Sequence, residues 1–197
     1  YVPRDTAGVT VTEYRTYDGQ RGADVRFDNA RVPASALIGA AGRGWDILEA
    51  STDYGVALLC AEAVGAMEAA NALTLEYLKT RKQFGVPIGT FQVLQHRMAD
   101  MFMHAEQAKS ITILAAVKVL TAAPDERRKL VSAAKVRVGK AMRFIGQQAI
   151  QMHGGMGMTN EMSISHYFKR LTAIEVTLGN TDFHRSRFIR QPDFAAV

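Results

Sequence analysis

The sequence has little cysteine and no long run of apolar residues. Its 197 residues contain one cysteine, Cys60, which excludes an internal disulfide framework and a multi-cysteine metal site. Because Cys60 lies in an apolar helical stretch, we expect a buried, unreactive thiol. A reducing compartment fits this usage, so the location is predicted to be cytoplasmic. No consecutive apolar run approaches the roughly 18 residues of a membrane span, and no membrane partner is expected.

The charge is basic but is not gathered into one block. The formal net charge is +5 at pH 7. Basic residues without stacking aromatics beside them do not favour a nucleic-acid partner. A solvated surface or an anionic ligand such as a pyrophosphate remain the two interpretations. The five histidines are scattered without a metal-ligand spacing, so no metal site is predicted.

The first 38 residues have the pattern of β structure. A β-branched run at 9–12 and an alternating segment at 23–27 are separated by Asp18-Gly19, a strong turn signal. Two or three strands cannot bury a core alone. We therefore interpret residues 1–38 as the C-terminal end of a β domain. Because the chain opens at Tyr1 directly in strand-like sequence, we expect it to be part of a longer protein.

Residues 39–197 have the pattern of long helices. Apolar residues recur there at three- and four-residue spacing, which is typical of helices with one buried face. Short loops between long helices favour antiparallel neighbours. The predicted fold class is mainly α, an antiparallel up-down helical bundle preceded by a few strands. Thr90 and Asn180 are candidate N-caps. We predict three long helices and two shorter ones, over residues 45–79, 91–120, 124–152, 161–173 and 180–191.

Three motifs carry candidate chemistry, and each also has a purely structural interpretation. Residues 80–85 end the first long helix with an arginine, an amide and an aromatic, a combination that can hold a pyrophosphate and a ring. The glycine-rich segment 151–158 lets a ligand approach the backbone closely, although such segments are usually only turns. Residues 178–185 can simply begin a helix, with Asn180 as cap and Asp182 at the positive end of the dipole.

Together these motifs resemble the acyl-CoA dehydrogenase family over nearly the whole chain. The matching segments are Thr-Arg-Lys-Gln-Phe-Gly at 80–85, Phe-Gln at 91–92, Gln-Met-His-Gly-Gly at 151–155 and Gly-Asn-Thr-Asp at 179–182. Residues 166–171 look more particularly like the small subunits of heteromeric pimeloyl-CoA dehydrogenase-type enzymes. The resemblance implies FAD as cofactor. It implies that FAD is contacted by Arg81, Gln83, Phe84, Phe91, Gln92, Gln151, Gly154, Gly155, Asn180 and Asp182.

The chain departs from the family at the catalytic base. The family's glutamate is replaced by Leu178 at one of its two usual positions and by Gly55 at the other. Neither residue can accept a proton. Glu175 and Asp53 are the nearest carboxylates in sequence, and each is a substitute of low probability.

The resemblance therefore implies part of a FAD-dependent acyl-CoA dehydrogenase subunit that catalyses α,β-desaturation of an acyl-CoA thioester. A partner subunit would supply the base within a homo- or heterotetramer, and an electron-transfer flavoprotein would accept the electrons. This chain alone is expected to be inactive. The alternative is a helical assembly module that stabilises a catalytic partner without binding FAD.

Overall fold

The computed structural model describes residues 1–191. The chain forms two compact units, Tyr1–Ser51 and a second that begins at Thr52. The division falls inside the first long helix, because that helix contributes residues to both units. The domain boundary near residue 38 stays a prediction.

The first unit contains the predicted β-hairpin. Strand β1 (Val9–Arg15) pairs antiparallel with β2 (Arg21–Phe27), with Val11 opposite Val25. The turn between the strands contains Gly19 at φ 82°, a left-handed conformation that glycine adopts without steric cost. Every position of both strands is exposed or half-buried, as expected for two strands that bury no core of their own.

Five α-helices within residues 1–191 confirm the mainly α fold class. The short antiparallel strands β3 (Lys82–Gln83) and β4 (Val86–Pro87) separate the first helix from the second. The helices are α1 (Gly44–Thr80), α2 (Gln92–Lys118), α3 (Pro124–His153), α4 (Ser163–Val176) and α5 (Thr181–Ile189).

Neighbouring helices run antiparallel. As the residue numbers of the contacts increase along one helix, the residue numbers of their partners decrease along the next. Between α1 and α2, the Asn71 side chain donates to the Met101 carbonyl at 3.4 Å, and Glu68 pairs with Lys109 at 2.8 Å. Helices α2 and α3 are antiparallel in the same way, as the pairs Arg97–Gln148 and Gln107–Arg137 indicate. Helices α3 and α5 are also antiparallel, as the pairs Gly139–Thr181 and Ser132–His184 indicate. The predicted up-down bundle is therefore confirmed.

The predicted buried thiol is also confirmed. Cys60 is fully buried in the bundle core, and burial raises the pKa of its thiol to about 12. A thiol with such a pKa forms almost no thiolate at neutral pH and is unreactive.

One of the two predicted helix caps is confirmed, and the other is wrong. Asn180 caps α5 as predicted, because its side-chain oxygen accepts from the Phe183 N–H at 2.9 Å. Thr90 as N-cap of α2 is wrong. Its hydroxyl donates to the Pro87 carbonyl at 2.8 Å inside a short 3-10 turn, and Phe91 takes the cap position instead.

A buried ion cluster joins α1, α3 and α5. Asp53 is completely buried, and its carboxylate accepts from Arg127 Nε at 2.9 Å and from Arg187 Nη1 at 2.6 Å. A carboxylate removed from water is tolerated only when it is paired and hydrogen-bonded. The cluster therefore fixes the relative positions of three helices.

Among residues 1–191, α1 has the length and apolar composition that could cross a bilayer. The count of consecutive apolar residues did not indicate this, because acidic residues such as Asp53 interrupt the helix. The core helix of a bundle has the same length and composition.

Removing the buried carboxylate tests the role of the ion cluster. Asp53→Ala leaves two largely buried guanidinium groups without their anion, so we expect the free energy of unfolding to fall by about 3 kcal/mol. Urea denaturation of the chain measures the change. The matched control is Glu76→Ala, which breaks the exposed Lys79–Glu76 pair and should cost less than about 1 kcal/mol. Equal losses in both variants would contradict a structural role for the cluster.

Candidate functional site

One end of the bundle gathers two of the predicted motifs. Arg81 directly follows α1, and its N–H donates to the Tyr77 carbonyl at 2.8 Å. Its own carbonyl accepts from the Ile88 N–H at 2.8 Å, which closes the β3–β4 hairpin. We call the region formed by residues 81–85, 91–92 and 151–155 the hairpin end.

Phe84 stands out at the hairpin end for both its exposure and its backbone. Its side chain is 91% exposed, and its φ is 54°, a left-handed value that is uncommon outside glycine. The ring meets Phe91 edge-on, with centroids 6.1 Å apart. A strained, exposed aromatic residue is a candidate ligand contact, because such strain concentrates at functional sites.

The glycine-rich segment joins the hairpin end through a ring stack. His153, the last residue of α3, stacks on Tyr77 of α1 with centroids 4.4 Å apart. Gly154 follows at φ 59°, and a side chain added at Gly154 or Gly155 would meet no atom within 4 Å. The backbone of these two glycines is therefore open to the close approach of a ligand.

The polar groups at the hairpin end are available to a ligand. The exposed side chains of Arg81, Gln92 and Gln151 have no hydrogen-bond or ion-pair partner among residues 1–191, whereas the Gln83 amide donates to the Lys82 carbonyl at 2.7 Å. An unpaired guanidinium is suited to a pyrophosphate.

An apolar cavity adjoins these polar groups. It measures about 530 Å³ and is lined partly by Leu75, Leu78, Pro87 and Met98. Its size and mainly apolar lining are typical of small-molecule sites. The hairpin end thus combines an unpaired cation with exposed aromatics, and residues outside the hairpin end line the neighbouring cavity.

The two positions predicted for a catalytic base lie side by side, away from the hairpin end. A Cβ added to Gly55 would lie 3.0 Å from Leu178 Cδ1. Leu178 is 43% exposed and adopts φ 55°, which costs a leucine roughly 1–2 kcal/mol. The structure therefore brings together the two residues that the resemblance paired, and neither carries a carboxylate.

Both substitute carboxylates are already engaged. Glu175 is 8% exposed, its Oε1 accepts from the Thr181 N–H at 3.0 Å, and it lies 3.6 Å from an Arg143 guanidinium nitrogen. It also lines a cavity of about 260 Å³ between α3 and α4. Asp53 is neutralised within the buried ion cluster. Both carboxylates therefore have partners within the bundle.

Asn180 and Asp182 lie with Leu178 and not at the hairpin end. Asp182 pairs with Arg185 at 3.1 Å on the surface of α5. Gly55 and Arg81 are 26 residues apart along a continuous helix. At about 1.5 Å per residue this is about 39 Å. A pyrophosphate held by Arg81 therefore cannot also contact Asn180 of the same chain.

Sequence reasoning missed two buried polar residues beneath the turn that presents Leu178. Lys135 is fully buried, and its ammonium donates to the carbonyls of Ile174 at 2.6 Å and Thr177 at 2.8 Å. His184 Nε2–H donates to the Leu178 carbonyl at 3.0 Å. Burial lowers the pKa of Lys135, and it lowers that of His184 to about 4. The sequence did offer a sign of Lys135, because this lysine occupies a position where the helical spacing of α3 places apolar residues.

No group of three or more histidine, cysteine, aspartate and glutamate side chains within residues 1–191 could hold a metal ion.

Comparison with known proteins identifies the family to which the chain is similar. Residues 42–191 match the family model described as acyl-CoA dehydrogenase, C-terminal domain. The probable acyl-CoA dehydrogenase YngJ of Bacillus subtilis strain 168 is 33% identical over an alignment of 196 residues that covers 96% of this chain and 50% of that protein. The human mitochondrial short-chain specific acyl-CoA dehydrogenase is 29% identical over 93% of this chain and 45% of its own length.

A solved structure of PigA with FAD and proline superimposes with a TM-score of 0.90 at 25% identity, covering 98% of this chain and 51% of that one. The chain thus spans about half the length of the relatives it matches.

The contact between Gly55 and Leu178 can be tested by a double-mutant cycle. Alanine at a helical glycine gains about 1 kcal/mol. In the native background the new methyl group would press on Leu178, so the gain should disappear. In the Leu178→Ala background the space is free, and Gly55→Ala should then stabilise the chain by about 1 kcal/mol. Urea denaturation of the four proteins gives the coupling. An equal gain in both backgrounds would contradict the contact.

Proposed function

The chain belongs to the acyl-CoA dehydrogenase family, and from that premise we propose that it is part of a FAD-dependent acyl-CoA dehydrogenase subunit. The proposed reaction of the whole enzyme is α,β-desaturation of an acyl-CoA thioester. A bound flavin would accept the hydride from the thioester. Because the chain spans about half the length of its relatives, we expect it to be inactive by itself.

The hairpin end carries the proposal. Arg81 offers an unpaired guanidinium for the FAD pyrophosphate, and Phe84 and Phe91 offer ring faces and edges beside it. The open backbone of Gly154 and Gly155 leaves space that any side chain would occupy. These groups fit a dinucleotide. Gln92 and Gln151 would supply further hydrogen bonds.

A partner subunit is proposed as the source of the catalytic base. Leu178 and Gly55 cannot accept a proton, and Glu175 and Asp53 are held by cations and hydrogen bonds. The separation of about 39 Å between Arg81 and the Leu178 turn concerns the position of the flavin. A flavin held by this chain's Arg81 would react at a site formed by another chain. An acyl-CoA dehydrogenase partner in a heterotetramer, an electron-transfer flavoprotein as acceptor and a cytoplasmic location are parts of the proposal.

A helical assembly module without FAD is the second candidate. Large apolar side chains of α2 remain exposed, including Phe102 at 61% and Val117 at 65%. Exposed apolar residues of this kind favour contact with another subunit. The two candidates differ in whether the full-length protein retains flavin.

Flavin retention depends on Arg81 if the first proposal is correct. In the full-length subunit, Arg81→Ala removes a charge-assisted contact to a pyrophosphate, so the Kd for FAD should rise at least about 10-fold. Flavin absorbance of the purified protein and FAD titration measure the change. Arg143→Ala, which removes an arginine that is 67% exposed on α3, is the matched control and should leave the Kd unchanged. A colourless protein whose FAD content ignores Arg81 would support the assembly module instead.

A carboxylate installed at position 178 should restore proton abstraction. Leu178→Glu places a general base at the end of the turn, and such a base contributes about 10²–10⁴-fold to the rate. The measurement is exchange of the α-protons of butyryl-CoA with D2O, followed by NMR in the FAD-loaded full-length subunit. Leu178→Gln has the same shape without the base. Equal exchange in the two variants would show that position 178 does not face the substrate.

A further inference from the structure

The basic run at residues 185–190 supplies one arginine to the bundle core and leaves two on the surface. Arg187 belongs to the buried ion cluster, whereas Arg185 and Arg190 are exposed. Arg185 pairs with Asp182 at 3.1 Å, and both side chains are more than half exposed. Such an exposed pair contributes little free energy. The Arg185 guanidinium is therefore open to another anion.

A cavity of about 220 Å³ lies between α3 and α5 and is bordered by Arg185. Its other lining residues are two cations and three apolar side chains, namely Arg137, Lys140, Ala133, Val136 and Phe188. The cavity is smaller than the roughly 300–1,000 Å³ of a drug-sized site, so it suits a small ligand. Its described lining contains three cations and no carboxylate, which is the composition of an anion site.

Arg137 is held in place by neutral groups. Its Nε donates to Gln107 Oε1 at 3.0 Å, and its Nη1 donates to His104 Nδ1 at 3.2 Å. Burial lowers the pKa of His104, so the ring is neutral at pH 7 and accepts this bond. Burial lowers the pKa of Arg137 as well, as expected for a cation whose hydrogen-bond partners are uncharged. The amide and the imidazole thus orient the guanidinium without cancelling its charge.

Lys140 contributes a second charge on the same face of α3. It follows Arg137 by three residues, so the two side chains are neighbours on the helix surface. The exposed ammonium of Lys140 has no hydrogen-bond or ion-pair partner among residues 1–191. Like charges at this spacing repel each other and destabilise a helix. An anion bound between them would relieve the repulsion.

The apolar wall of the cavity restricts the kind of anion. Val136 of α3 and Phe188 of α5 form part of this wall. A ligand with an apolar body gains free energy by burying that body here, whereas a hydrated inorganic ion does not. A phosphate monoester is dianionic above its second pKa of about 6, and guanidinium groups bind phosphate oxygens in pairs. Such a dianion matches three cations better than a carboxylate does.

The cavity is separate from the hairpin end. Lys140 lies 13 residues before His153, the last residue of α3. At about 1.5 Å per residue this is about 20 Å. A small ligand in the cavity therefore does not contact the glycine-rich segment that follows His153.

We propose that Arg137, Lys140 and Arg185 form a binding site for a small organic phosphate, a phosphate monoester with an apolar body. The three cations hold the phosphate oxygens, and the apolar body lies against Val136 and Phe188. The site uses none of the residues assigned to FAD, so it does not depend on the proposed function.

Calorimetric titration of the full-length protein with phenyl phosphate tests the site. The Kd should rise about 10-fold in Arg185→Gln and in Lys140→Gln, since each change removes a charge-assisted contact to the phosphate. Arg190→Gln is the matched control, because it removes the same charge from the same basic run, outside the cavity lining. It should leave the Kd unchanged. Equal rises in the Arg185 and Arg190 variants would mean general charge attraction and would overturn the proposal, as would an absence of binding at millimolar phenyl phosphate.

Two further probes define the ligand class. Benzoate has the same ring with a single negative charge, and inorganic phosphate has the charge without the ring. Each should bind about 10-fold more weakly than phenyl phosphate, because each lacks one of the two contacts. If either probe had the same Kd as phenyl phosphate, the assignment to an organic phosphate would be wrong.

Arg81→Ala separates this site from the hairpin end. The Kd for phenyl phosphate should be the same in Arg81→Ala and in the unmodified protein, whether or not the protein binds FAD. A rise in Arg81→Ala as large as that in Arg185→Gln would assign the phosphate to the hairpin end and overturn the proposal. Because Lys140 and Arg185 are exposed, their variants should fold with an unchanged Tm, so a changed Kd reports binding.

Discussion

The buried ion cluster around Asp53 is the constraint on which both the bundle and the Leu178 turn depend. Its two arginines come from α3 and α5, so the charge that one helix buries is neutralised only when all three helices are assembled. Arg187 also reaches the Ser132 hydroxyl at 3.5 Å, and the same hydroxyl contacts His184. A continuous polar network therefore runs from Asp53 to the Leu178 carbonyl. Gly55 lies two residues beyond Asp53 on α1, so one segment of this helix anchors the bundle and receives the Leu178 side chain.

The chain has two candidate regions that lie too far apart to contact one small ligand. The hairpin end has unpaired polar groups and an adjoining apolar cavity. The Leu178 turn has its polar groups satisfied and presents an apolar residue. About 39 Å of helix separates them. In the proposed enzyme the hairpin end completes a flavin site that another chain shares, whereas the turn belongs to a site without its own base.

The spacing of apolar residues predicted most of the fold, because this pattern depends on many residues at once. The helices and the hairpin were found from repeated apolar spacing and from Asp18-Gly19, and the Asn180 cap follows from a local side-chain bond. The Thr90 cap was wrong because its hydroxyl had a competing partner, the Pro87 carbonyl. A local sequence signal does not distinguish between two nearby acceptors.

The buried polar residues were missed for a different reason. Asp53 finds its partners 74 and 134 residues away, and Lys135 finds its carbonyls 39 and 42 residues away. Single-sequence patterns do not report such pairings. The left-handed backbone of Leu178 was equally hidden, since leucine has no preference for that conformation. The candidate residues at 55 and 178 came from the resemblance, and their contact became visible only in three dimensions.

The central claim is that this chain helps to bind flavin and does not supply the catalytic base. Anaerobic mixing of the full-length subunit with butyryl-CoA, first alone and then with the proposed acyl-CoA dehydrogenase partner, tests it most directly. The flavin absorbance should be present in both cases and should bleach only in the complex. Rapid bleaching of the isolated subunit would contradict the claim and would mean that a carboxylate of this chain removes the proton.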